Sequence, residues 1–128
     1  MALKSVRLEL ARTKEFPDGS GRHGYEFVAP LDDKGRLDAK SWKQFREACT
    51  VRRFWGDAEE HGVLIHRQDG KWVFSYEPGD DADDEPIFRF DRHAFIKGEY
   101  VSVTEHDGIT RPFRVAALET PLALRRKK

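Results

Sequence analysis

A β-hairpin in the middle of the chain decides the fold, and residues 63–76 of that hairpin read VLIHRQDGKWVFSY. β-Branched and aromatic residues, the types enriched in strands, stand on both sides of the polar segment 68–71. That segment contains the pair Asp69-Gly70, which a type I′ turn favours because both of its central positions take a positive φ. The stretch therefore predicts two antiparallel strands joined by a type I′ turn.

The second half of the chain repeats this pattern. Residues 100–105 and 109–115 read as strands, and His106-Asp107-Gly108 between them supplies a second Asp-Gly turn. A short strand is predicted at 87–90, between the two hairpins. The two hairpins share a type of turn and no sequence repeat.

Upstream of the first hairpin, period-two alternation predicts further strands. Val6, Leu8 and Leu10 alternate with polar or small residues, and a second strand is expected at 23–29, ended by Pro30. Residues 50–55 read as another strand. The acidic, glycine-bounded segment 56–62 reads as the loop that follows it.

One helix is predicted at about 39–48, where the apolar period changes from two to 3.6. Asp38 is placed to act as its N-cap. Trp42, Phe45 and Cys49 then fall on one stripe, and Lys43 lies on the opposite face.

About seven or eight short strands with turn residues between them, together with one helix, predict an α+β, mainly β domain. We expect an antiparallel curled sheet or a small barrel on which the helix packs. The chain of 128 residues has room for one such domain, expected at 1–120, followed by a basic tail at 121–128 that we expect to be disordered.

The net charge is zero, from 23 basic and 23 acidic residues, but it is unevenly distributed. Residues 77–85 contain six acids and the last four residues are all basic, which leaves 19 bases and 17 acids elsewhere. A near-neutral body counts against a strong, non-specific polyanion binder. The acidic segment lacks the EF-hand order, so we expect a solvated loop; whether it binds a cation stays open.

The strand 51–55, which reads VRRFW, is the best candidate for binding RNA or single-stranded DNA. Arginine forks suit phosphates, and an aromatic ring can stack on a base. The alternative is a strand with one packed side whose arginines pair with carboxylates. The nucleic-acid hypothesis uses Lys43, Arg46, Arg52, Arg53 and Trp55.

Metal and catalytic motifs are weak. No two of the five histidines have ligand spacing, so a metal or enzymatic site would have to combine separated groups such as His23, His93 and the acidic segment 77–85. Cys49 is expected to be a small buried residue rather than a nucleophile. We therefore predict no catalytic residues, no bound metal and no cofactor.

Several runs resemble a family of small, stand-alone bacterial proteins of unknown function. They are Phe16-Pro17-Asp18-Gly19-Ser20, residues 25–31, residues 51–56 and Gly98-Glu99-Tyr100-Val101-Ser102. The resemblance covers about 16–118. It implies a chain complete in itself and carries over no activity or site residue.

The leading hypothesis is a non-enzymatic binding domain whose partner is another protein or a second copy of the chain. Nucleic acid is the second hypothesis, and a metal or enzymatic site is the third. The single cysteine and the absence of long apolar runs predict a cytoplasmic protein that does not enter a membrane.

Overall fold

The computed structural model describes residues 2–76, 94–105 and 107–121, and the backbone of residues 85–88. Its eight strands run in chain order. They are β1 (Ala2–Leu10), β2 (Ser20–Leu31), β3 (Thr50–Trp55), β4 (Ala58–His66), β5 (Trp72–Ser75), β6 (Glu85–Phe88), β7 (Tyr100–Thr104) and β8 (Thr110–Glu119).

The strands form a closed antiparallel barrel in which each strand pairs with its neighbours in the chain. β1 closes the barrel by pairing with β8 as well as β2. The predicted mainly β class is thus confirmed, although β1, β2 and β8 are longer than the short strands expected, with 9, 12 and 10 residues.

Alternate residues of the strands fill the barrel, as a period of two requires. The core includes Val6, Leu8, Leu10, Tyr25, Phe27, Ala29, Val51, Leu64, Phe74, Val101, Val103, Phe113 and Val115. Its rings contact one another, since the centroids of Tyr25 and Phe74 lie 4.9 Å apart and those of Phe27 and Phe74 lie 5.1 Å apart. Side chains therefore occupy the interior.

The predicted helix is confirmed as α1 (Ala39–Phe45), continued by a 3-10 turn at Arg46–Ala48. Asp38 caps it as expected, accepting the amide of Ser41 at 3.2 Å. Trp42 anchors it to the barrel, because its indole Nε1 donates to the carbonyl of Leu64 at 2.8 Å. Its ring also meets Trp72 edge to face, with the centroids 5.9 Å apart.

Both predicted hairpins are confirmed, but the predicted type I′ turn is wrong. The amide of Gly70 donates to the carbonyl of Arg67 at 2.9 Å, so Gln68 and Asp69 are the central residues of the turn. Gly70 follows them with φ 86°, the left-handed conformation that glycine adopts most easily. The loop thus has three residues, a turn followed by a glycine.

Pro30 does not end the second strand, contrary to expectation. It lies within β2 opposite Leu3. Its carbonyl accepts the amide of Asp38 at 3.0 Å, so its nitrogen also faces away from β1. Because β3 pairs with β2 only as far as Phe27, no strand requires a donor from Pro30.

The predicted loop at 56–62 is also wrong, since only Gly56 and Asp57 form a turn before β4 begins. The acidic residues of this segment lie along the arginines of β3. Arg53 stands opposite Glu60 in the register, and their side chains lie 3.4 Å apart. Cross-strand pairing of opposite charges thus suits a strand here.

The antiparallel connections alternate between two ends of the barrel. We call upper the end that carries the β1–β2 loop and the β3–β4 and β7–β8 turns. The lower end carries α1, the turn at 32–36 and the segment 94–99. In the described part of the chain, no helix is both long and apolar enough to span a membrane.

Candidate functional site

Arg53 points into the upper end of the barrel. It follows the alternation of β3 that also turns Val51 inward, and its side chain is only 11% exposed. Its Nε and Nη2 donate to Oε2 of Glu105 at 3.1 and 3.0 Å. The guanidinium predicted to meet phosphates is therefore held by a carboxylate of the same chain.

Glu105 is the centre of this polar contact, with a side chain that is 1% exposed. Its Oε1 accepts from Nη1 of Arg111 at 2.7 Å, and its Oε2 accepts from the hydroxyl of Tyr25 at 2.7 Å. We call Tyr25, Arg53, Glu105 and Arg111 the Arg–Glu cluster. It closes the upper end with one carboxylate between two guanidinium groups.

Both arginines of the cluster remain cationic. Burial lowers the pKa of Arg53, but its interactions with Tyr25 and Glu105 outweigh burial and raise the pKa overall. For Arg111, burial again lowers the pKa, while hydrogen bonds to Asp107 and Glu105 produce a net rise. A buried ion cluster of this kind is tolerated only while each charge keeps its partners.

Trp55 extends the cluster to the rim of the barrel. The guanidinium carbons of Arg53 and Arg111 lie 4.3 and 5.5 Å from its ring centroid. His23 meets the same ring edge to face at 4.6 Å, and Phe16 lies 4.6 Å beyond His23. The ring of Trp55 is thus already in contact with side chains of its own chain.

His23 itself is held by Ser20, whose Oγ lies 2.7 Å from Nδ1 of the imidazole. Burial lowers the pKa of His23, and the nearby positive charges of Arg22 and Arg53 lower it further. The folded rim therefore disfavours the protonated form of His23.

Arg52 faces the outside of the barrel wall, as its place in the alternation requires. It forms ion pairs with Glu26 and Glu59. Its guanidinium carbon lies 4.9 Å from the ring centroid of Phe54, which Arg7 also contacts, at 4.5 Å. Arg52 and Arg53 are thus neighbours in sequence on opposite sides of the wall.

Lys43 and Arg46 are exposed on α1 and its 3-10 turn, at the lower end. The structure brings Arg53 and Trp55 together but places these two bases at the far end and Arg52 on the outer wall. The arginines of β3 pair with carboxylates, as the alternative interpretation expected.

Cys49 is fully buried, which confirms its prediction as a small core residue. Burial raises the pKa of its thiol to about 11. Within the residues that the structure describes, no three His, Cys, Asp or Glu side chains are grouped to hold a metal ion. His93 and residues 77–84 lie outside the described residues, as do residues 122–128 of the predicted tail, and Glu85 is described only by its backbone.

A second candidate site is an open groove of about 650 Å³ at the lower end. Phe95 plugs this end of the barrel, where its amide donates to the carbonyl of Gly35 at 2.6 Å. The next residue, Ile96, is 51% exposed. We call this surface the lysine-rimmed groove: its floor is Leu31, Phe95, Ile96 and Leu118, and its rim includes Lys4, Lys34 and Lys97.

Sequence reasoning missed both sets of residues. Glu105 and Arg111 were assigned only to a hairpin, because nothing near them in the chain marks Glu105 as buried. The three rim lysines come from β1, from the turn after β2 and from the segment before β7. The adjacent apolar pair Phe95-Ile96, in a connection between strands, was the one local signal for the groove.

Comparisons of this chain with protein-family models, with curated proteins and with solved structures found no significant match. The resemblance to a family of small bacterial proteins therefore stays a prediction.

Proposed function

We propose that this protein is a non-enzymatic binding domain and that its partner is another protein. The observation that carries the proposal is the lysine-rimmed groove, where the exposed Ile96 and the half-buried Leu118 lie beside the buried Leu31 and Phe95. Apolar surface of this kind, bordered by polar residues, is typical of interaction sites. The Arg–Glu cluster, by contrast, satisfies its own charges.

The filled interior supports an external site. Eight-stranded barrels either pack their interior with side chains or leave room for a small ligand. Here Tyr25, Phe27, Phe74 and Phe113 meet ring to ring, and Phe95 packs against Phe27 with centroids 5.8 Å apart. These contacts favour recognition on the surface.

Binding of nucleic acid is the second candidate, and it has less support. Trp55 is already in contact with Arg53, Arg111 and His23, whereas a base would need a free face of the ring. Lys43 and Arg46 remain exposed and available to phosphates. Titration of a labelled oligonucleotide at two salt concentrations tests this candidate, because phosphate contacts weaken with salt.

The leading proposal is tested by capture of the partner from a native lysate with matched variants. Ile96 and Ile109 are both 51% exposed, and Ile109 lies at the upper end, outside the groove. We expect a stoichiometric partner with the wild type and with Ile109→Glu, and a loss of at least tenfold with Ile96→Glu. Circular dichroism confirms that both variants are folded.

Two results would contradict the proposal. One is the absence of any stoichiometric protein partner for the wild type. The other is equal capture by the Ile96→Glu and Ile109→Glu variants, which would locate binding away from the groove. The cytoplasmic location expected from the sequence also stays a prediction, and cell fractionation tests it.

A further inference from the structure

The floor of the lysine-rimmed groove suits apolar side chains of a ligand. Leu31 and Phe95 are buried in the core, and Leu118 packs partly against it, so the floor is rigid. Ile96 adds exposed apolar surface at its margin. Leu31 and Phe95 are almost fully buried, so the apolar area that a ligand can remove from water comes from Ile96 and the half-buried Leu118.

The rim also carries positive charge, from three lysine side chains. Within residues 2–76, 94–105 and 107–121, the side chains of Lys4, Lys34 and Lys97 form no ion pair. Arginines of the barrel wall behave differently, since Arg7 and Arg52 pair with Glu26 and Arg114 lies 3.8 Å from Glu9. Lys4, Lys34 and Lys97 are therefore available to a ligand at the groove, as Lys40, Lys43 and Lys71 are on other surfaces.

The two acids of the rim offset this charge only in part. Oδ1 of Asp32 accepts the backbone amides of Lys34 and Arg36 at 2.8 and 3.0 Å. The carboxylate of Asp32 is therefore engaged in its own turn, which leaves Asp33 as the exposed acid. Because Asp32 keeps its negative charge while it accepts these amides, the rim has three ammonium groups against two carboxylates, and this net charge of +1 favours an anionic ligand.

The groove also lies beside a strand edge that is unpaired among the residues that the structure describes. β2 pairs with β1 as far back as Ala2, whereas β8 pairs with β1 only from Ser5, opposite Glu119. In the described part of the chain, Leu3 and Lys4 thus have no strand neighbour on the β8 side. Of the two, only Leu3 turns its N–H and C=O to that side, because Pro30 opposite it faces away from β1 whereas Lys4 faces Ala29 of β2. An extended segment can add its backbone hydrogen bonds to such an edge.

From these three features we propose that the groove binds an extended segment of the partner protein in which acidic residues flank apolar ones. The apolar side chains cover the floor, the carboxylates meet Lys4, Lys34 and Lys97, and the backbone pairs with the edge at Leu3. This inference rests on the proposed function and specifies what the groove recognises.

The test uses the full-length protein and a terminally blocked peptide of seven residues, with valine and isoleucine at its centre and two acidic residues at each end. We expect titration to shift the amide NMR resonances of Lys4, Lys34, Ile96 and Lys97. A peptide with lysine in place of every acid should bind at least tenfold more weakly. An acidic peptide with alternate amides N-methylated should also bind more weakly, because it cannot donate to the edge.

Two triple variants separate local charge from total charge. Lys4→Gln/Lys34→Gln/Lys97→Gln should weaken the acidic peptide at least tenfold. The control Lys40→Gln/Lys43→Gln/Lys71→Gln removes the same charge from exposed residues outside the groove and should change affinity less than twofold. The amide spectra report whether each variant keeps the native fold.

Equal binding of the acidic and lysine peptides in the groove would overturn the inference and leave the proposed function intact. No binding at millimolar peptide, or shifts confined to other surfaces, would also overturn it. So would self-association that Ile96→Glu abolishes, because a second copy would then be the occupant. Failure of the proposed function is read separately, from the capture experiment with Ile96→Glu and Ile109→Glu.

Discussion

At the scale of single residues, Glu105 has the largest consequences. Its carboxylate is buried between the guanidinium groups of Arg53 and Arg111 and also accepts the hydroxyl of Tyr25. Removing one partner from a buried ion pair leaves an uncompensated charge, which costs more than the intact pair contributes. The upper end of the barrel therefore depends on this one side chain.

We predict that Glu105→Gln lowers the free energy of unfolding by about 3–5 kcal/mol, because both arginines lose their common counter-charge. Urea unfolding measures the change. The control is Asp57→Asn, which breaks the exposed pair with Arg22 and should leave the stability nearly unchanged. Equal, small losses in the two variants would mean that the cluster does not stabilise the barrel.

His23 gives a second prediction at this scale, concerning pH. Burial, then Arg22 and Arg53, lower its pKa in the folded protein below the ordinary value of 6.5. The unfolded state therefore binds the proton more readily, so the stability linked to His23 is present above about pH 6.5 and is lost as the pH falls. Thermal unfolding between pH 8 and pH 5 should show a smaller decline for His23→Gln.

The control for this prediction is His61→Gln. His61 is exposed on β4, with a side chain that is 71% accessible. We expect this variant to follow the wild-type decline. If the stability of His23→Gln declined with falling pH as much as that of the wild type, other groups would be responsible for the pH dependence.

At the scale of elements, β1 and β2 approach closely at Gly24. A Cβ added there would lie 1.9 Å from the carbonyl oxygen of Leu8 and 3.1 Å from the ring of Phe54. Because the first of these neighbours is backbone, a side chain cannot be accommodated by a change of rotamer. Gly24 thus permits both the pairing of these strands and the packing of Phe54 on the outer wall.

We predict that Gly24→Ala destabilises the protein by about 3 kcal/mol or more, at the upper end of what overpacking costs. Gly21→Ala, on the same strand, is the matched control, since its nearest atom would be 3.7 Å away. That variant should stay within about 0.5 kcal/mol of the wild type. Denaturant unfolding compares the two, and similar stabilities would contradict the close approach of β1 and β2.

At the scale of the whole molecule, the barrel is closed but not uniformly paired. The register between β1 and β2 runs from Ala2–Leu31 to Leu10–Ser20. Among the described residues, β6 pairs with β5 at Val73–Pro86 and Phe74–Glu85, and with β7 at Ile87–Val103 and Phe88–Ser102. β6 has four residues, and a strand this short opens locally at a lower free-energy cost than the long β1, β2 and β8.

We predict that amide hydrogen exchange is slowest in β1, β2 and β8 and at least tenfold faster in β6. The reason is that few ladder bonds and short strands lower the free energy of local opening. Amide exchange followed by NMR at neutral pH measures the exchange rates in the long strands and in β6. Uniform protection of all strands would show that the barrel opens only as one unit.

Much of the fold was predictable because its signals are local. The hairpins follow from alternation and glycine-containing turns, and α1 follows from Asp38 and the period that places Trp42 inward. The misassigned segment 56–62 carries acidic residues that are typical of a loop. Only its pairing with Arg52 and Arg53 makes it a strand, and that pairing depends on β3 lying beside it in the barrel.

The candidate sites were predictable only in part. The alternation of β3 separates Val51, Arg53 and Trp55 from Arg52 and Phe54, but it does not say which set faces inward. Arg53 can enter the barrel because Glu105, 52 positions later, is there to receive it. The rim of the groove depends in the same way on strands that meet from distant parts of the chain.

The sequence by itself determined the mainly β class, the helix and its N-cap, the hairpins and the burial of Cys49, because interactions within a few residues specify them. Only the tertiary structure decided that the barrel closes through β1 and β8, that Arg53 and Arg52 lie on opposite sides of its wall, and that three lysines border one apolar groove. Those outcomes depend on contacts between residues that are far apart in the chain. A sequence contains both residues of each contact but does not show which residues meet.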